Sequence, residues 1–418
     1  MTNRIIFVCL VLVFIIAGCT YKNPENPCYD CRLQCPDADR TACVNDNKCE
    51  CYYNNISKDN NQSDLNKNKI NVADTLPSCG ERMDFLDISP IKYGDFQFIT
   101  PLGNFNPSGH TFPTDHIYLS LNRVDENNWN AGTVNVPLYM PGEVWITEIM
   151  TTEQLSASPP LKEYTVVFYP CKELKFMFAH ITSLSDELLS KLNEENECEK
   201  EYTTGNRRFQ KCSTKNLKIQ MKSGQEIGAT GGNPNQNAFD IWATDFRVKE
   251  LESANPDRWY IDRKYTVCPL NYFVETEKTK LYSLLGGPNN DKRIIGPICG
   301  TIEQDIKGTA QGTWFTEGTE NTSPEDPHLT LALDNVDPRI NVFSVGTSIP
   351  GLESKTYPFN PKSDGDVNVA FSQVKLGMIY CYEQTDLKTG SDFTIILELL
   401  DEETLKIERQ SVRGCSKP

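Results

Sequence analysis

The 418 residues carry 41 Lys plus Arg against 57 Asp plus Glu, a net charge of -16, so no overall basic field exists for holding phosphates. Nucleic acid is therefore not an expected partner. Sixteen cysteines in a chain of this length fit an exported, disulfide-bonded protein with two medium domains and a small one.

Arg4 is the only charge before Cys19, and Ile5 to Gly18 is an unbroken apolar run. A membrane span needs roughly 18 or more such residues, so this shorter run reads as a signal-peptide core. It ends in Ile16-Ala17-Gly18-Cys19, which looks like a prokaryotic lipobox. That resemblance implies a signal peptide over 1–18 and a diacylglyceryl thioether on Cys19. Two acyl chains suffice for stable anchoring, so the mature chain is expected at the cell surface or in the periplasm, held to a prokaryotic membrane. No second apolar run follows, and the rest is expected to be soluble.

Setting aside Cys9 and Cys19 leaves an even number of cysteines, and export makes disulfides their expected state. Residues 19–52 hold six of them at Cys28, Cys31, Cys35, Cys43, Cys49 and Cys51. So short a segment cannot build an apolar core, so cross-links must stabilise it as a small disulfide knot. Cys31 and Cys35 are one helical turn apart, and Cys49 and Cys51 share a face of a predicted strand. The order resembles the cysteine-stabilised helix and strand module of defensins and scorpion toxins, with a shortened first gap. A stapled spacer near the lipid is the plainer role. Residues 53–75, rich in Asn, Lys, Ser and Asp, have too little apolar surface to offset the entropy of ordering and are expected to form a flexible tether.

From 76 to 257, strand-like runs alternate with Pro, Gly and Asn turns. His116–Leu121, Glu143–Ile149 and Glu163–Tyr169 predict a mainly antiparallel β domain. Ser185–Asn196 reads as a helix, with Leu188, Leu189 and Leu192 on one side and acids at its start. Gly231-Gly232-Asn233-Pro234-Asn235 lacks the lysine and helix of a phosphate loop and reads as a hairpin connection. A second β-rich domain, sandwich or barrel, is expected over 258–418, with Leu329–Leu333 and Phe393–Leu399 as its clearest strands and turns at Gly286–Asn290 and Asp334–Pro338. Its cysteines, Cys268, Cys299, Cys381 and Cys415, allow three pairings. Trp314 reads as a core residue, with a carbohydrate platform as the alternative. His328 reads as a solvated loop residue.

Three of the four histidines fall in the first β domain. His110 and His116 flank Asp115, and His180 lies in Phe178-Ala179-His180-Ile181-Thr182-Ser183-Leu184. Imidazole and carboxylate on neighbouring strands are what a catalytic zinc site uses, because three protein ligands leave a fourth position for water. The order of the surrounding blocks resembles the lysostaphin-like zinc endopeptidases that cut peptidoglycan cross-bridges. The histidine and aspartate pair comes first, then Val136-Pro137-Leu138-Tyr139-Met140-Pro141-Gly142-Glu143-Val144, then the His180 block. Met221-Lys222-Ser223-Gly224-Gln225 leads into Asn237-Ala238-Phe239-Asp240-Ile241-Trp242, where the family has a His-x-His strand.

The resemblance implies a peptidase-like antiparallel sheet, His180 as catalytic residue, and a Zn2+ ligand set drawn from His110, Asp115, His116 and Asp240. Two departures stand out. The family separates its first pair by three residues and this chain by four, which on a strand reverses the face unless a bulge intervenes. Ala238 stands where the family has a catalytic imidazole, and Asp240 where it has the last ligand; Asp240 can still bind metal through oxygen. The expected function is therefore a surface lipoprotein whose degenerate endopeptidase-like domain binds a cell-wall or extracellular glycan or peptide. The alternative is an active zinc-dependent wall peptidase with a His/Asp/Asp site.

Overall fold

In the computed structural model the described residues are 71–418, apart from 127, 129, 130, 193–196, 205, 206, 235, 384, 386–391, 413 and 416–418, together with the backbone of 40–44 and 48–52. The chain divides into compact units before and after residue 70. In the first, β1 (Arg40–Val44) and β2 (Lys48–Tyr52) pair antiparallel with Cys43 opposite Cys49. The signal peptide, Cys19, the rest of the cysteine module and residues 53–70 of the tether lie outside the described residues. The tether's last residues are ordered after all. Val72–Thr75 form a 3-10 turn in which Asn71 Oδ1 accepts from Ala73 N, and Ala73 is buried.

The second unit is mainly β. Its large sheet is built from β3 (Phe96–Thr100), β4 (His116–Leu121), β5 (Val136–Tyr139), β6 (Val144–Gln154), β7 (Leu161–Cys171) and β8 (Leu174–Leu184). To these it adds β9 (Glu197–Cys198), β10 (Tyr202–Thr204), β11 (Arg207–Thr214), β12 (Ile219–Met221), β13 (Glu226–Thr230) and β14 (Ala238–Asp245). The main path is β10-β11-β6-β7-β8-β14-β4-β3, antiparallel throughout. Alternation explains the register: Ile117, Leu119 and Leu121 of β4 and Phe239, Ile241 and Ala243 of β14 are buried in the core. The intervening residues pair across the other face as His116 with Trp242, Tyr118 with Asp240 and Ser120 with Ala238.

The predicted helix is shorter than its leucine spacing suggests. Among its described residues one turn forms, α1 (Asp186–Leu189), capped by Ser185, whose side chain accepts from Leu188 N; 193–196 lie outside the described residues. Leu188 is buried and Leu192 packs on the first core, while Leu189 is exposed, so the segment is held on one side without extending as a helix. The stretch Gly231–Asn235 does not join a hairpin: β13 pairs with β5 and β8, and β14 with β4 and β8.

The first core reaches past residue 258. Leu270, Tyr272, Phe273, Leu281 and Leu285 join it, with α2 (Ile261–Lys264) and α3 (Glu275–Tyr282) along the same stretch. Gly286–Asn290 follows α3 and does not separate two sheet strands. The second core begins at Ala310. It is a sandwich of one sheet, β15 (Gly312–Trp314), β16 (Leu329–Leu333), β17 (Asn341–Val345) and β18 (Lys355–Phe359), and another, β19 (Ile379–Tyr382), β20 (Thr394–Leu399) and β21 (Leu405–Gln410). Phe343, Phe359, Phe371 and Tyr382 interlock at its centre with ring centroids 4.7 to 5.7 Å apart.

Disulfides join Cys79 to Cys171, Cys198 to Cys212, Cys268 to Cys299 and Cys381 to Cys415, so the four carboxy-terminal cysteines pair with their sequence neighbours. Trp314 is partly buried against the second core. His328 is not solvated but wholly buried: it stacks on Phe112 at 5.2 Å, and its Nδ1 accepts from Thr316 N. Sequence context showed no partner because Phe112 lies in the other domain.

Truncating Phe343 to Ala should leave a void among the four interlocked rings and cost about 3–5 kcal/mol. A urea midpoint unchanged from that of the parent chain would contradict this account of the second core.

Candidate functional site

Four strands and one loop bring the candidate residues together. Asp115 lies just before β4 and His116 opens it, while Asp240 occupies the middle of β14 with Tyr118 on one side and Ala179 of β8 on the other. His110 sits in a tight loop closed by reciprocal backbone hydrogen bonds with Asn106, both 2.9 Å. The spacing problem between His110 and Asp115 therefore dissolves, because the intervening residues are not a strand and face parity does not apply. That loop is anchored from outside: Phe112 N donates to Glu325 Oε2 at 2.9 Å and Arg263 Nη1 to Pro113 O at 2.9 Å.

His180 marks a change of neighbours. One edge of β8 pairs with β14 up to Ala179 and with β13 from Ile181 onward. On the other edge, the register with β7 also shifts between Tyr164 and Val166. His180 fills this break with φ 60, a left-handed conformation that a histidine adopts only when its surroundings impose it. The restraint is visible: its carbonyl accepts from Thr230 Oγ1 at 2.7 Å and from Gln236 Nε2 at 2.7 Å. Freed from the strand direction, the ring reaches two carboxylates.

The result is a line of alternating acids and imidazoles. Asp115 Oδ1 lies 3.2 Å from His116 Nδ1, and His116 Nε2 lies 3.5 Å from Asp240 Oδ2. Asp240 Oδ2 is 3.2 Å from His180 Nε2, and His180 Nδ1 is 2.8 Å from Glu163 Oε2. The carboxylates can only accept, which assigns a proton to Nδ1 of both rings. Asp115 also accepts from Trp242 Nε1 at 2.9 Å and from the Tyr260 hydroxyl. His110 meets His116 edge to face, with ring centroids 5.5 Å apart.

Burial divides the group. Asp115, His116 and Asp240 are buried, whereas the His180 side chain is 44% exposed and forms the approachable end. Burial alone would raise Asp240, but the His180 charge and hydrogen bond, with His116 and His110 beyond, hold it below the usual carboxylate range. Burial opposes the charge of Asp115 too, and His116, Arg263 and Tyr260 outweigh it and lower that group well below the usual range. Burial would lower His180, but Asp240 and then Glu163 lift it well above the ordinary imidazole value. His110 goes the other way: burial, reinforced by His116, lowers it to about 4, leaving a neutral ring at physiological pH.

His110, Asp115, His116, His180 and Asp240 thus meet in one place, while Ala238 lies on β14 with no polar group to offer. Within this group His116 Nε2 and Asp240 Oδ1 are buried without hydrogen-bond partners, as are the neighbouring Tyr118 hydroxyl and Gln236 Oε1. Among the described residues no group of three or more His, Cys, Asp or Glu is placed to hold a metal ion. Glu163, Trp242 and Tyr260 are the members that sequence reasoning missed. Trp242 was findable as the residue two beyond Asp240 on the same strand face. Glu163 and Tyr260 carried no local signal. No protein family, no curated protein and no solved structure matches this chain.

Since the pKa of His180 is raised on folding, its stabilising contribution is complete below the unfolded value of about 6.5 and is lost as pH rises through the folded value. Asp240→Asn should move the His180 imidazole titration, followed by NMR, to lower pH. An unmoved titration would mean that the two groups are not paired. Glu325 is pushed up to about 7 by burial, against hydrogen bonds from Phe112 and Thr111. Stability should accordingly fall as pH rises from about 4.3, the unfolded carboxylate value, toward that range. Glu325→Gln, which keeps an acceptor, should raise the melting temperature more at pH 8 than at pH 5.

Proposed function

We propose that the first β domain hydrolyses amide bonds in an extracellular, peptide-bearing polymer, with His180 as its proton-transfer residue. One observation carries this reading. Two unpartnered polar atoms, His116 Nε2 and Asp240 Oδ1, are buried in the cluster behind a half-exposed imidazole held at positive φ. Buried polar groups are nearly always satisfied, and backbone strain persists where function requires it. The blocks shared with lysostaphin-like endopeptidases point to the peptide cross-bridges of peptidoglycan as the substrate class.

Imidazole and carboxylate are the donor types that bind zinc, and these side chains would have to draw together to hold it. His116 Nδ1 faces Asp115, and its Nε2 lies 3.5 Å from the Asp240 oxygen, an approach that calls for a proton or a cation between them. His116 Nε2, Asp240 and the neutral ring of His110 would hold the metal, with Asp115 behind His116 as the carboxylate that orients the ring. This assignment moves Asp115 from ligand to support, because three donors already occupy its oxygens. When bound, the metal supplies an acidified water and polarises the carbonyl. Held protonated between Asp240 and Glu163, His180 would give its Nε2 proton to the departing amine, while Glu163 keeps the proton on Nδ1. We place this domain outside the cell, held at a prokaryotic membrane through lipid on Cys19.

A second reading has its own support. Ala238 stands where the resembling family has a catalytic imidazole, which favours a surface module that binds its polymer without cutting it. Metal analysis and turnover of labelled peptidoglycan by the full-length chain separate the two. The hydrolase reading expects stoichiometric zinc that disappears in Asp240→Ala, and a loss of roughly 10²–10⁴ in rate for His180→Ala. Polymer retained without cleavage, by a chain that takes up no metal, would establish the binding module instead.

A further inference from the structure

Residues 252–258, the loop 305–315 and the turn at 402–403 enclose a groove of about 530 Å³. Ligand pockets commonly span about 300 to 1,000 Å³, so this one holds a ligand of several rings. Trp314 and Phe315 supply its aromatic surface, and Asn255, Thr309 and Gln311 are among its polar lining. The groove is separate from the histidine cluster, and its reading does not depend on hydrolysis.

Its chemistry excludes two kinds of occupant. Anions meet an acidic lining, with Glu252, Asp305, Glu402 and Glu403 against Arg258 and Lys307. Both cations are engaged: Lys307 pairs with Glu402 at 3.3 Å, and the terminal nitrogens of Arg258 donate to Thr319 O at 2.7 Å, Thr319 Oγ1 at 3.3 Å and Asn321 O at 3.2 Å. The Arg258 guanidinium lies 4.0 Å over the Phe315 ring, which fixes it as part of the wall. A peptide adding itself as a strand is blocked too. β15 is the end strand of its sheet, but Thr313 N already donates to Asp305 Oδ1 at 2.8 Å and Gln311 O accepts from Ile306 N at 2.9 Å. Strand addition needs those groups free.

What remains is a flat aromatic surface beside the Asn255 amide and the carboxylates of Glu252 and Glu403, since the Thr309 hydroxyl donates to Ile306 O and Gln311 Nε2 to Gln304 O. The Trp314 indole N–H is committed to Ala310 O at 2.9 Å, so the residue offers the groove a ring surface and no donor. Sugar rings combine an apolar face with a rim of hydroxyls, and they match such a lining without bringing charge. We infer that this groove is a binding site for an uncharged oligosaccharide, stacked on Trp314 and hydrogen-bonded by the polar groups around it.

Isothermal titration of the full-length, detergent-solubilised chain with cellotetraose and with the tetramer of N-acetylglucosamine tests the inference. At least one should bind, with an affinity insensitive to salt because no charge is matched. Trp314→Ala should weaken binding at least tenfold. Trp314 also packs on the second core, so Asn255→Trp provides an independent check: the exposed Asn255 side chain makes no capping bond, and an indole there obstructs the groove with the melting temperature unchanged. Failure of both sugars to bind, binding that survives Asn255→Trp, or preferred binding of tetragalacturonate would each overturn it.

Discussion

The organisation of the first domain turns on a buried carboxylate. Asp240 is 3% exposed, among the aromatic and aliphatic residues of a sheet interior, where an unpaired charge costs several kcal/mol. Among the described residues no Lys or Arg pairs with it; its neighbours are imidazoles, His180 at 3.2 Å and His116 at 3.5 Å. Imidazoles are ligands, acids and bases as well as counter-charges, so the groups that offset the burial are also groups that can do chemistry. His116 in turn needs an acceptor for Nδ1, which Asp115 provides, and Asp115 needs the donors of Trp242 and Tyr260. Each member of the line is there to satisfy the one before it.

Holding that line demands an irregular sheet. A regular β8 would place alternate side chains on opposite faces and direct His180 by the parity of its neighbours. The change of partner from β14 to β13, with the shifted register against β7, releases His180 from that constraint. Thr230 and Gln236 then hold its carbonyl, so the left-handed backbone is restrained by two hydrogen bonds from the segment running from β13 to β14. Bulges and register breaks near functional side chains are a general way for a sheet to re-aim one residue.

The two cores are separate, yet they share a seam with chemical consequences. Phe112, two residues beyond His110, packs against Trp259, Phe315 and His328 at 5.1 to 5.4 Å. Arg258 lines the groove, and Tyr260 reaches Asp115, so one short segment serves both places. Glu325 and His328, which belong to the sandwich by sequence, hold the loop that carries His110. The carboxy-terminal domain is thus part of the frame around the histidine cluster.

Several features were legible in the sequence because they depend on local pattern. The strands at His116–Leu121 and Leu329–Leu333 follow from alternation, and the mainly β class from turn spacing. The helix after Ser185 was read longer than the one turn seen among the described residues, because leucine spacing records which side is apolar and not where the backbone leaves the helix. The extent of the first core, the partners of Asp115, the burial of His328 and the role of Glu163 were decided by the tertiary structure. Each rests on contacts between residues far apart in the chain, and one-dimensional periodicity carries no information about which distant donor will meet a buried acceptor. Local pattern determined which residues could take part in the site, and only the packing of distant segments decided which atoms meet.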